Sequence, residues 1–156
     1  MTAYDPAKVA GIWLSIVAAT TLLNSVLLQA FSRFLGLPTG LSLTIVNDAI
    51  FVGLRSAASE SRFVIILALI VDALVVCLFL ILARKTFRKS RGAVAAGLII
   101  YVIDTAVFLV FSAVTTLGEI PLRDALWQAL TLVVHVLGCL LLFRGWRSLS
   151  AARVPE

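Results

Sequence analysis

Residues 93 to 114 read AVAAGLIIYVIDTAVFLVFSAV, preceded at 84 to 91 by RKTFRKSR. The apolar run has no Lys, Arg or Pro and is long enough to cross the hydrocarbon of a bilayer as a straight helix. The run before it has five cations and no acid, the signature of a connection held on the cytoplasmic side. In the middle of the span sits one ionisable residue, Asp104. Its presence there is costly, by about 2.5–3.5 kcal/mol on insertion scales.

Three more stretches of the same kind follow from working outward. Spans are predicted at about 9–31, 63–83, 93–114 and 125–143, all without Lys, Arg or Pro. The composition agrees. Of 156 residues, 62% are hydrophobic and 13% charged, against roughly half and a quarter in soluble domains. Strand alternation of the barrel kind is absent. The reading is an all-α integral membrane four-helix bundle, a single transmembrane domain over 1–156. The first span is too long for a signal-peptide core and has no small-x-small cleavage site, so it reads as a retained helix.

Charge sets the orientation. Lys8, the 84–91 run, Arg144, Arg147 and Arg153 place nine cations on one side, and Arg33, Arg55, Arg62 and Arg123 place four on the other. Both termini are therefore expected in the cytoplasm. The net charge of +5 needs no nucleic-acid partner, because there is no soluble basic domain to bind one. The bilayer is the partner the sequence demands. Protein partners are not indicated by any motif, although the small-residue face of Ala93, Ala96 and Gly97 suits helix packing or a homo-oligomer seam. Trp13, Trp127 and Trp146 lie near span ends, where interfacial anchors belong. Cys77 and Cys139 read as buried small hydrophobes rather than a disulfide. Asp124 is placed to cap the last helix and favour its dipole.

The connection from 32 to 62 is long for a hairpin loop. Its stretch at about 41–54 is apolar with helical spacing at Leu43, Val46, Ile50 and Leu54. Two forms fit: an amphipathic helix on the outer leaflet, or a re-entrant helix led in by Gly36, Pro38 and Gly40. Asn47 and Asp48 in mid-segment favour the surface form, since they would be costly at depth.

The chemistry lies in the polar residues inside the spans: Asp72, Asp104 and His135, with Asn24, Thr20, Thr131 and Tyr101 around them and Thr21 and Gln128 beside. Counted at 1.5 Å per residue from the nearest cytoplasmic charge, Asp72 is about 18 Å deep and Asp104 about 20 Å. Thr20, Thr21 and Thr131 share that level, and His135 and Tyr101 lie about one turn nearer the cytoplasm. Gln128, Thr131, His135 and Gly138 form a polar stripe on the last helix. If the two carboxylates meet in a low-dielectric interior they cannot both ionise freely, so one holds a proton and the pair titrates as a unit. With His135 this would make a proton- or cation-binding cluster of the channel, transporter or sensor kind. A second reading takes the same polar residues as interhelical glue in a structural or accessory subunit. A third takes Asp72, Asp104 and His135 as three ligands of a metal in an intramembrane hydrolase. No nucleotide, phosphate-loop or serine-elbow motif is present, so an enzyme is the weaker expectation and no cofactor is required.

The run Gly97 to Phe108, the acid at Asp72, and His135 followed by Arg144-Gly145 resemble uncharacterised small four-span bacterial membrane proteins. The resemblance covers the last three spans. It implies a protein of the bacterial inner membrane and carries no activity to transfer.

Overall fold

The computed structural model describes residues 5–30, 40–42, 62–115 and 121–151. Among these residues the long elements are four helices: α1 (Pro6–Ala30), α2 (Arg62–Phe87), α3 (Arg91–Thr115) and α4 (Leu122–Ala151). Three of them, over Pro6–Leu27, Arg91–Ala113 and Leu122–Ala151, are long and apolar enough to cross a membrane.

The helices overrun the predicted spans because their ends have local signals of their own. Asp5 caps α1: its carboxylate accepts from the backbone N–H of Ala7 at 3.0 Å and of Lys8 at 3.3 Å. Pro6 occupies the first helical position, where its missing N–H costs nothing. At the other end of α2, Arg84 and Lys85 sit in the last turn, where the dipole favours cations. The chain then reverses within three residues. Lys89 N–H donates to the Thr86 carbonyl at 2.8 Å and Ser90 N–H to the Lys85 carbonyl at 3.0 Å. This is a Schellman close with Lys89 in the left-handed position at φ 60°. Ser90 then caps α3 through its hydroxyl, which accepts from Ala93 N–H at 3.4 Å.

At the start of α4 the expected cap is displaced. Pro121 provides the carbonyl that accepts from Asp124 and Ala125 N–H at 2.9 and 3.1 Å. Asp124 lies inside the first turn instead, where it meets the dipole as an acid should and pairs with Arg123 at 3.1 Å on the surface.

The helices form a ring in chain order. Each packs on the next, α4 returns to α1, α1 also meets α3, and the backbones of α2 and α4 make no close approach. The connections from α2 to α3 and from α3 to α4 are short, as between antiparallel neighbours in a bundle. Its inside is lined by Ala10, Leu14, Val17, Phe79, Val94, Tyr101 and Leu142. Its outside is apolar between the charged ends, with Phe63, Leu74, Val110, Leu122 and Val133 among the most exposed side chains. That surface suits lipid and not water. Cys77 belongs to it, exposed and free rather than buried as its size suggested. One end gathers the cations. The Arg91 guanidinium lies 5.3 Å from the Trp146 ring centre, and Gly145 packs on Ala10 and the Pro6 carbonyl. The 84–91 turn, the start of α1 and the end of α4 therefore share that end.

Candidate functional site

The site is built around the protein's one histidine. His135 is fully buried on α4. Its Nδ1 lies 2.8 Å from the carbonyl of Thr131, one turn back on the same helix. A carbonyl can only accept, so Nδ1 carries the hydrogen. Its Nε2 lies 3.0 Å from Oδ2 of Asp104 on α3, itself 2% exposed.

The tautomer fixes the proton count of that contact. With Nδ1–H committed to Thr131, an Nε2···Oδ2 hydrogen bond requires one proton between the two atoms. Either the imidazolium donates to the carboxylate, or the carboxylic acid donates to the imidazole. Both forms carry no net charge, which is what a low-dielectric interior tolerates. The pair is a one-proton dyad.

α3 holds the ring as well as the proton. Tyr101 and Phe108, on one face at three residues before and four after Asp104, stack on His135. The ring centres are 5.2 and 5.4 Å away, and the planes tilt by 12° and 15°. Two helical turns separate these aromatics, about 10.5 Å, which is the gap an imidazole stacked on both faces fills. The clamp stops the ring from turning away from Asp104, and each π face attracts the imidazolium form. Behind it, Trp13 meets Tyr101 edge-on at 6.3 Å. Gly138 gives these rings their room: a Cβ there would collide with the Trp13 indole nitrogen and lie 2.5 Å from Tyr101 Cε1. The Tyr101 hydroxyl and the Trp13 N–H are buried with no hydrogen-bond partner among the described residues. Trp13 is thus part of the interior and not the interfacial anchor its position near a span end suggested.

A third element reaches the dyad. Gly40, Leu41 and Ser42 are buried. Leu41 N–H donates to Thr21 Oγ1 at 3.0 Å, and Ser42 Oγ lies 3.4 Å from His135 Nε2. Gly40 lies so close to the Asn24 amide that a Cβ would strike its Nδ2. The first two residues of the segment expected at 41–54 are therefore inside the bundle at the level of the mid-helix polar groups. Residues 43–54 lie outside the described residues.

The other predicted site residues divide. Asp72 is buried on α2 and accepts from Ser25 Oγ of α1 at 2.7 Å. Equal depth does not fix facing: Asp72 meets Ser25 of α1, whereas Asp104 meets His135 of α4. Among the described residues no three of His, Cys, Asp and Glu form a group that could hold a metal ion. Thr20 turns its hydroxyl back to the Ile16 carbonyl at 2.8 Å. Thr131 bonds Trp127 in the same way at 2.9 Å, and contributes to the site through its backbone instead. Gln128 accepts from Ser112 at 2.7 Å, an α3–α4 cross-link.

Sequence reasoning missed Ser42, Phe108 as a stacking partner, and Trp13. Phe108 could have been found, since Tyr101, Asp104 and Phe108 share a helical face. Ser42 could not, because the composition of the 32–62 connection allowed a surface and a re-entrant form alike and named no partner for that hydroxyl. The arrangement also differs from an acyl-transfer triad. There the orienting acid and the nucleophile take opposite ring nitrogens, whereas Asp104 and Ser42 meet the same one.

Searches against family models, curated proteins and solved structures give no match for this chain.

Proposed function

We propose that the protein is a small integral membrane protein whose Asp104–His135 dyad holds an exchangeable proton in the bilayer interior, in proton-coupled transport or sensing. The observation that carries the reading is the Nδ1–H to Thr131 bond, which leaves room for one proton between Nε2 and Oδ2. Buried acid–histidine pairs of this kind are the parts of proton relays. In this reading α2, 26 residues long, supplies a fourth crossing and the cation-rich end faces the cytoplasm. The burial of Gly40 to Ser42 favours the re-entrant form of the connection between the first two crossings.

A structural role is the second reading. It is favoured by Asp72 bonding Ser25 and by the two threonines bonding their own helices, since polar groups satisfied locally serve as glue.

One histidine makes the test specific. The protein is labelled with 15N-histidine, placed in lipid nanodiscs and titrated by NMR. The proposal expects Nδ1 to stay protonated throughout while Nε2 changes state, and expects Asp104→Asn to abolish that change. In liposomes loaded with a pH-sensitive dye, wild type should differ from Asp104→Asn in proton entry. A His135 that keeps one protonation state over the whole range in which the protein stays folded would leave the structural reading standing alone.

A further inference from the structure

We propose that Ser42 is the third member of the proton site, the donor that lets the dyad give up its proton. The inference rests on the proton-exchange reading above. Among the described residues Nε2 has two polar partners, Asp104 Oδ2 at 3.0 Å and Ser42 Oγ at 3.4 Å. While the shared proton is in place, Nε2 is satisfied by Asp104, and Ser42 stands at the long edge of hydrogen-bond range. When the proton leaves, the ring keeps Nδ1–H on Thr131 and Nε2 becomes a bare lone pair facing an ionised carboxylate. A buried acceptor in that condition costs the desolvation of a full hydrogen bond. The Ser42 hydroxyl, rotating about its C–O bond, is placed to donate to it. The atoms balance simply: one proton departs to water, or to hydroxide at alkaline pH, and one existing O–H turns towards Nε2.

Among the described residues the groups around the dyad do not offer another donor to Nε2. From α3 the neighbours are Tyr101 and Phe108, which stack on the ring faces. Thr105 donates to the Tyr101 carbonyl at 2.8 Å, and Cys139 on α4 lies 3.8 Å from Thr105 Oγ1. From α1, Thr21 accepts from Leu41 N–H, and Trp13 sits behind Tyr101. Asp72 on α2 accepts from Ser25, and the backbones of α2 and α4 make no close approach. The described Lys and Arg side chains, at 8, 84, 85, 88, 89, 91, 123, 144 and 147, are exposed. Ser42 is itself 6% exposed and is fixed by the Leu41–Thr21 bond beside it.

The test compares wild type with Ser42→Ala and Ser42→Thr as full-length protein in nanodiscs. The proton-free dyad is recognised by a bare Nε2 in the 15N-histidine spectrum together with an ionised Asp104 in the infrared difference spectrum, assigned with Asp104→Asn. At one alkaline pH, Ser42→Ala should hold the proton-free dyad about fivefold less often relative to the protonated form, the worth of one neutral hydrogen bond. Ser42→Thr, which keeps a hydroxyl, should restore it. An unchanged Nδ1 signal shows that the ring has not moved. If Ser42→Ala is folded and populates the proton-free dyad as wild type does, Ser42 has no part in proton release. If Ser42→Ala does not fold, Ser42→Cys replaces it, and the weak S–H donor should give a population between those of wild type and an unassisted dyad. A Cys variant indistinguishable from wild type overturns the inference. A wild-type His135 that never changes state overturns the proton-exchange reading itself, which is a different result from a titrating dyad indifferent to Ser42.

Discussion

Gly138→Ala puts the aromatic cage under direct strain. An added Cβ would collide with Trp13 Nε1 and lie 2.5 Å from Tyr101 Cε1 and 2.7 Å from Trp13 Cε2. None of these atoms is the free end of a flexible chain. Tyr101 is stacked on His135, and Trp13 is wedged edge-on against Tyr101. Overpacking of this kind costs about 1–3 kcal/mol, and replacing a mid-helix Gly by Ala returns up to about 1 kcal/mol of helix propensity. The net expectation is a destabilisation of about 1–2 kcal/mol. Gly92→Ala is the control: its Cβ meets nothing within 4 Å, so only the propensity gain remains, up to about 1 kcal/mol at a helix end. Reversible unfolding in mixed detergent micelles, followed by far-UV circular dichroism, measures both. Trp13→Phe in the Gly138→Ala background removes the indole nitrogen the new methyl strikes and should recover part of the loss. The same experiment reads the site, because a displaced Tyr101 alters the 15N signals of His135. The reasoning fails if Gly138→Ala is as stable as wild type and leaves the histidine spectrum unchanged.

Three other outcomes follow from the same contacts. Ser25→Ala removes the hydroxyl that donates to the Asp72 carboxylate at 2.7 Å and should cost about 1–3 kcal/mol in that unfolding assay, while Ser25→Thr should cost less. Lys89→Gly relieves a left-handed residue at φ 60° and should raise stability by up to about 1 kcal/mol, with topology preserved by the four remaining cations of the turn. Arg91→Ala removes the guanidinium from the Trp146 ring; a loss of about 0.5–1 kcal/mol is expected, with a shift in tryptophan emission, whereas Arg91→Lys should keep part of the interaction.

The helices were legible in the sequence because lipid imposes one rule on every residue of a span, and a run of apolar residues states it redundantly. The overruns at Pro6 and Phe87 were not, since capping and the Schellman close depend on a few hydrogen bonds at each end. The site was legible in part for the same reason. Buried ionisable residues are costly enough in a bilayer that Asp104 and His135 stand out, and the spacing Gln128, Thr131, His135, Gly138 gave the inward face of α4. What depth could not supply was azimuth. Asp72 and Asp104 lie at one level by residue count, yet one meets Ser25 across α1 and the other His135 across α4. Facing is set by how the ring of helices closes, and that is decided by packing partners such as Gly145 against Ala10 and Gly138 against Trp13. A glycine opposite a tryptophan is a fact about two helices at once and is invisible in either alone. The same holds for Ser42, whose chemistry depends on a return of the chain into the bundle. The measurement that separates glue from function therefore reads a single atom, His135 Nε2, which faces both an acid and a hydroxyl.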